Sequence, residues 1–110
     1  MYNIPEPDWK VFKRVHAAAL ARFCEQVLAE VQRLAQEGSR SPHERYLEVY
    51  QLMKERDRQM GRIFDNPRRS VALHMLAQLR GNGLLPDEDL ASLSANTRDA
   101  IGLLLGHLPG

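Results

Sequence analysis

Apolar residues recur at steps of three and four along two long segments of the chain, residues 9–37 and 42–65. Because an α-helix has about 3.6 residues per turn, this spacing places the apolar side chains of each segment on one face. A short connector, Gly38-Ser39-Arg40-Ser41, separates the two segments. The pattern predicts two long helices that fold back on each other as an antiparallel hairpin.

The ends of the first predicted helix carry recognisable signals. Pro5 and Pro7 favour an extended segment over residues 1–7, and Asp8 can then accept hydrogen bonds from the free amides of the first turn. Gly38 follows the last predicted residue and can adopt the left-handed conformation that ends many helices. The stripe of this helix comprises Trp9, Phe12, His16, Ala19, Leu20, Phe23, Val27, Val31 and Leu34.

The second predicted helix has the strongest local start signal. Ser41 and Glu44 form a capping-box pattern, in which each side chain satisfies a backbone amide of the other residue, and Pro42 occupies the first helical position. The helix is therefore expected to begin at about residue 42. Its stripe comprises Tyr46, Tyr50, Met53, Asp57, Met60 and Phe64.

Three shorter helices are predicted after the hairpin, at about 67–80, 87–93 and 95–107. Asn66 and Pro67 repeat the cap-then-proline pattern, acidic residues begin the second of the three, and Ser94 caps the last. No segment shows the alternating pattern of a β-strand. The prediction is one all-α domain spanning residues 1–110, with the three shorter helices packed on one end of the long hairpin.

The length of the first helix bears on association. A helix of about 29 residues is about 44 Å long, whereas a compact domain of this size is about 35 Å across. The hairpin should therefore project beyond the short helices and leave apolar surface exposed. We expect a homodimer in which four long helices meet side by side. The alternative is a monomer in which the first helix bends or frays.

Composition narrows the class of protein. Of 110 residues, 44% are hydrophobic and 26% are charged, close to the averages of water-soluble globular domains. No secretory signal and no run of about 20 apolar residues is present, so a cytoplasmic protein without membrane association is expected. The single cysteine, Cys24, is expected to be reduced and packed.

One polar cluster, Asp65, Asn66, Arg68, Arg69 and Ser70, is a candidate binding site. Two arginines in the first turn of a helix oppose the helix dipole, and a bound phosphate or carboxylate would resolve that conflict. The segment lacks the glycines of phosphate-binding loops, however. Ion pairs that hold the bundle together are the preferred interpretation of this cluster.

Two polar residues, His16 and Asp57, lie on the apolar stripes. A buried carboxylate requires a partner, so an arginine is expected to reach Asp57 and fix the register of the helices. If the chain turns near residue 39 or 40, His16 lies opposite Ile63 and Phe64. The two polar residues are then too far apart to act as an acid–base pair.

No motif for catalysis, cofactor binding or metal coordination is recognisable in the chain. The expected function is therefore non-enzymatic, as a protein-interaction or scaffold subunit whose partner is a second copy or another helical protein. The alternative is a nucleic-acid-binding or anion-sensing protein, because residues 40–80 contain nine basic side chains against five acidic ones. Nucleic acid is disfavoured, since Glu48, Glu55 and Asp57 interleave with the basic residues of the second helix.

Overall fold

A computed structural model describes residues 2–106 of the chain. In this range the chain forms α1 (Glu6–Ala35), α2 (Pro42–Phe64), α3 (Ala72–Gly81), α4 (Asp87–Ala91) and α5 (Ala95–Leu105), with a 3-10 turn at Arg69–Val71 and no strand. The predicted all-α architecture is confirmed.

Helices α1 and α2 form the predicted hairpin. α1 continues without a break for 30 residues, and the protein measures 52 × 23 × 22 Å. The buried residues of α1 extend from Asp8 only as far as Val27, and those of α2 are Ile63 and Phe64. The end of the hairpin that carries the connector, which we call the closed end, therefore extends beyond the hydrophobic core.

The core lies where the open end of the hairpin meets the three short helices. α3 is its centre, because α3 contacts α1, α2 and α5. Six of the ten α3 residues are buried, which explains the nearly continuous apolar sequence of this helix. The fully buried side chains of the core include Ile4, Phe12, Val15, Leu76, Leu79, Leu84, Leu85 and Ile101.

The first helix begins three residues before its predicted start and ends two residues before its predicted end. The helix begins at Glu6 after Pro5, and Pro7 lies in its first turn, where a proline loses no hydrogen bond because the amides there have no partner within the helix. Only part of the predicted extended segment 1–7 is therefore extended. The helix ends at Ala35, and Gly38 does not have a positive φ.

The chain between α2 and α3 also differs from the prediction. Asn66 has a φ of 56° and Arg68 is extended, so the helix predicted from residue 67 begins only at Ala72, after the 3-10 turn. The cap-then-proline pattern here marks a tight change of direction instead of a helix start. α4 ends at Ala91 and α5 at Leu105, and the predicted end of the last helix at residue 107 lies outside the described residues.

Candidate interaction surface

The closed end of the hairpin exposes large apolar side chains of α2. Tyr46 is 67% exposed, Tyr50 52% and Met53 47%. Their spacing of four and three residues places them on one face of the helix. They line an open groove of about 500 Å³, and we call its lining, apart from the polar Arg45, the distal apolar face: Ala35, Pro42, Tyr46, Val49, Tyr50 and Met53.

α1 contributes its own stripe of residues to the same side of the hairpin. Leu28 precedes Ala35 by two helical turns and is 57% exposed, so it extends the distal apolar face along α1. This stripe differs from the core-facing stripe of α1 and consists mostly of small residues. We call it the small stripe: Ala17, Ala21, Cys24, Leu28, Val31 and Ala35, of which Val31 lies at the border with the core-facing stripe and also packs against the core.

The short helices do not cover the distal apolar face, because none of their residues lines its groove. Where these helices meet the hairpin, a separate cavity is lined by Phe23 and Glu30 of α1, Arg56 of α2, and Leu84. The core-facing stripe of α1 therefore points toward the short helices, and the small stripe points to a different side. The distal apolar face is open to solvent in a single copy.

Polar contacts hold the closed end of the hairpin in one register. Arg56 donates hydrogen bonds to both carboxylate oxygens of Glu30, at 3.4 and 3.1 Å. Arg45 donates from Nη1 to the carbonyl oxygen of Ala35, at the C-terminus of α1, where a cation also complements the helix dipole. The contacts provide a scaffold on which the apolar side chains keep their relative positions.

The connector also helps to fix the hairpin. The predicted capping box is confirmed, since the Ser41 hydroxyl accepts from the Glu44 amide at 3.1 Å and the Glu44 carboxylate accepts from the Ser41 amide at 2.9 Å. Arg40 pairs with Glu48 at 2.6 Å on the opposite side of the hairpin from the distal apolar face. The start of α2 is thus set locally, independently of the core.

Four charged side chains flank or continue the distal apolar face. Glu25 is exposed on α1, and Lys54, Asp57 and Arg58 are exposed on α2. None of the four takes part in an ion pair among residues 2–106. The Lys54 ammonium lies 5.5 Å from the centre of the Tyr50 ring, so this cation borders the apolar surface directly.

The two polar residues predicted to be buried have different outcomes. His16 is half-buried, and its Nε2 lies 3.0 Å from the carbonyl oxygen of Phe64, as the predicted register requires. Asp57 is exposed, so the predicted buried ion pair is wrong. The stripe of α2 reaches the core only near Phe64, and Asp57 lies on the part of the helix that the short helices do not cover.

The arginines of the candidate anion cluster face different surroundings. Arg69 donates to the carbonyl oxygen of Ile4 at 3.0 Å and pairs with Glu6 at 2.8 Å. Arg68 instead borders a cavity of about 300 Å³ on α2 and α3. Ser70 is exposed in the 3-10 turn. Arg68 shares its cavity with Arg62, Asp65, Asn66, Val71, His74, Met75 and Gln78.

Asp8 is a buried polar residue whose structural role the sequence does not reveal. It is 2% exposed, and its carboxylate accepts hydrogen bonds from the Ser94 amide at 2.9 Å and from the hydroxyls of Ser94 and Thr97 at 2.6 Å each. It therefore joins the first turn of α1 to the start of α5. No local signal could identify this contact, because the partners lie more than 80 residues away.

The ionisation of Asp8 reflects two opposing effects. Burial raises the pKa of its carboxyl, but hydrogen bonds from Ser94 and Thr97 and the positive charge of Arg98 favour the ionised form more strongly. The pKa of Asp8 is consequently lower than the ordinary aspartate value. The Asp8 carboxylate is engaged by three hydrogen bonds from within the protein, which indicates a structural role.

No known protein family, curated protein or solved structure matches the chain. Among residues 2–106, no group of three or more His, Cys, Asp or Glu side chains is placed to hold a metal ion. None of the helices in that range combines the length and the apolar character needed to span a bilayer. The distal apolar face exposes two tyrosines and a methionine of this range to solvent.

Proposed function

We propose that the protein is a non-enzymatic helical interaction or scaffold subunit that acts as a homodimer through the distal apolar face. The observation that carries the proposal is the exposure of Tyr46, Tyr50 and Met53 on one side of a long hairpin. Contiguous exposed apolar side chains of this size are characteristic of surfaces that bind another protein. Tyrosine is also enriched among the residues that dominate binding at protein interfaces.

A second copy suits this surface because the hairpin already forms half of a four-helix bundle. Two antiparallel helices present apolar residues at spacings of three and four, and the core of a bundle is built from such positions on facing helices. A two-fold symmetric dimer requires a surface that complements itself. The presence of side chains from both α1 and α2 on the distal apolar face supports such a self-complementary contact.

Sedimentation velocity tests the proposal. We expect the wild-type protein to sediment as a dimer and the Tyr50→Lys variant to shift to monomer with unchanged helix content. Leu103→Lys is the matched control, because Leu103 is 71% exposed on α5, away from the face. This control should remain dimeric. A wild-type protein that stays monomeric at the highest soluble concentration would overturn the proposal.

The anion-sensing or nucleic-acid alternative rests on a different surface. Arg62, Arg68 and His74 border one cavity, and neither arginine is engaged by an ion pair in residues 2–106. Asp65 lies in the same cavity and opposes the binding of an anion. Titration of the protein with inorganic phosphate and with generic duplex at low salt tests this alternative. Binding that weakens with salt and is lost in Arg68→Ala would favour it.

A further inference from the structure

The arrangement of the two copies can be inferred from the hairpin itself, on the premise of the proposed dimer. We infer that the two-fold axis runs parallel to the hairpin, so that α1 of each protomer packs on α2 of its partner. The small stripe of one copy then meets the tyrosine and methionine side chains of the other. The register within the hairpin, the sizes of the side chains and the distribution of charge each support this arrangement.

The register of the hairpin determines which residues meet. Arg45 reaches the carbonyl of Ala35, and both residues line the groove, so the adjacent Tyr46 lies level with Ala35. Rotation about an axis parallel to the helices leaves every residue at its own level. The levels that apply within one hairpin therefore also apply between copies. The facing pairs are Tyr46 with Ala35, Tyr50 with Val31, and Met53 with Leu28 of the second copy.

The sizes of the facing side chains are complementary at the connector end of this arrangement. At the three facing positions α2 presents Tyr46, Tyr50 and Met53 against Ala35, Val31 and Leu28 of α1, so the clearest match of a large with a small side chain is Tyr46 against Ala35. Protein interfaces pack as densely as protein interiors, so a large side chain requires a small one opposite it. If α2 met α2 instead, tyrosines would oppose large side chains while alanines opposed alanines. The two pairs of helices would then need different separations across one interface.

The charges around the face are complementary in the same arrangement. By the register of the hairpin, Lys54 and Arg58 lie about two residues to either side of the level of Glu25, roughly 3 Å along the helix axis. The Glu25 carboxylate of one copy therefore lies between two cations of the other, and these two cations outnumber Asp57, the exposed acidic residue at the same level. Opposite charges at the rim of an interface determine its orientation and disfavour alternatives. An arrangement of α1 on α1 would separate Glu25 from both cations.

The arrangement has a consequence for the rest of the molecule. The short helices pack on a different side of α1 from the small stripe. They therefore lie outside the bundle of four long helices in both copies. Because the axis is parallel to the hairpins, both sets of short helices are at the same end of the dimer. The dimer thus presents two identical helical bodies in the same direction, as a bivalent scaffold does.

Disulfide trapping tests the arrangement. In a Cys24→Ser background, Leu28→Cys and Met53→Cys are made in two chains of different mass, refolded together and oxidised. A covalent heterodimer is expected, because these positions face each other across the interface and a disulfide requires closely approaching Cα atoms. Ala29→Cys is the matched control, since it lies on the same helix about 100° around the axis and should not link to Met53→Cys.

The outcomes separate the arrangement from the dimer itself. A sedimenting dimer that yields only Leu28→Cys homodimers means that α1 packs on α1, and it overturns the inference while the proposed function stands. A wild-type monomer overturns both. If the reduced cysteine variants sediment as monomers, charge reversal provides the test. Glu25→Lys should raise the dissociation constant roughly two- to fivefold at low salt.

Compensating substitutions can restore the affinity that the Glu25→Lys variant loses. Combining Glu25→Lys with Lys54→Glu and Arg58→Glu should bring the dissociation constant back to the wild-type value or below, because the same pairs form with exchanged signs and Asp57 then also attracts the introduced cation. Lys10→Glu is the control, since this exposed cation lies more than two helical turns from the distal apolar face. Failure of the triple variant to recover any affinity would contradict the placement of Glu25 between the two cations.

Discussion

The carboxylate of Asp8 accepts a 2.6 Å hydrogen bond from the hydroxyl of Thr97, which lies 89 residues further along the chain. Thr97 is completely buried, and its hydroxyl also lies 2.9 Å from the phenolic oxygen of Tyr2. The N-terminal segment is thereby fastened to the start of α5. Since α5 packs on α3, this polar contact closes the core at the end opposite the hairpin connector.

Replacing Asp8 with asparagine should destabilise the fold. The charged acceptor of three hydrogen bonds is lost, and the amide nitrogen that replaces one carboxylate oxygen cannot accept from either hydroxyl. The free energy of unfolding should fall by about 1–3 kcal/mol, as measured by chemical denaturation. Asp99→Asn is the control, since Asp99 is exposed and its side chain makes no hydrogen bond among residues 2–106. An unchanged midpoint in the Asp8 variant would contradict this role.

The same contact predicts a pH dependence of stability. The pKa of Asp8 is lower in the folded protein than in the unfolded chain, so the unfolded chain binds the proton first as the pH falls. The contribution of Asp8 is fully present above the unfolded value of about 3.9 and is lost as the pH falls through the folded pKa. The free energies of unfolding of the wild type and of Asp8→Asn, measured from neutral to acidic pH, should converge over that pH range. A constant difference between the two free energies would argue against the hydrogen-bonded carboxylate.

The capping box of α2 yields a local prediction. Removing the hydroxyl in Ser41→Ala leaves the Glu44 amide without its acceptor and should lower the free energy of unfolding by about 1 kcal/mol. Ser39→Ala is the matched control, because Ser39 only donates to an exposed Glu37 in the same connector. Its effect should be negligible. Denaturant unfolding followed by circular dichroism measures both, and equal losses would show that the cap has no special role.

Two glycines provide a paired prediction about the backbone. Gly83 has a φ of 73°, a backbone conformation that residues other than glycine rarely adopt. Gly38 does not have a positive φ. Gly83→Ala should therefore destabilise the protein by about 1–2 kcal/mol. Gly38→Ala should be neutral or slightly stabilising, because alanine restricts the unfolded chain and meets no atom within 4 Å. Thermal unfolding of the two variants checks the sign of each effect.

The sequence predicts those parts of the fold that depend on nearby residues. The capping box at Ser41 and the apolar spacing of α1 and α2 are local signals, and the structure confirms the hairpin that they predict. The predictions are wrong where contacts between distant residues determine the structure. Asp8 reads as a helix cap, but Ser94 and Thr97 engage its side chain and α1 begins before it.

The candidate interaction surface also combines features that depend on nearby residues with features that depend on distant contacts. The stripe of α2 was predictable from spacing, but the spacing does not show where the core ends along it. Phe64 is buried and Tyr46 is exposed, although both occupy the same stripe. The extent of coverage depends on where α3 begins, and the sequence misplaces that start because Asn66 turns the chain. The same spacing predicts a buried Asp57, because it does not show that the core ends before this residue is reached.

The proposed dimer predicts a stability that depends on protein concentration. Association stabilises the folded state by mass action, so the unfolding temperature of the wild type should rise with concentration. Tyr46→Ala should abolish most of that rise and leave the unfolding temperature of the dilute protein nearly unchanged, since this side chain is 67% exposed in one copy.

Phe12→Ala is the contrasting variant for this experiment. Phe12 is 1% exposed in the core, and its truncation should cost about 3–5 kcal/mol at every concentration because it leaves a cavity within the subunit. Calorimetry at two widely separated concentrations distinguishes the two kinds of loss. If Tyr46→Ala lowered the unfolding temperature equally at both concentrations, the tyrosine would contribute to the subunit itself and the distal apolar face would lose its main support as an interface.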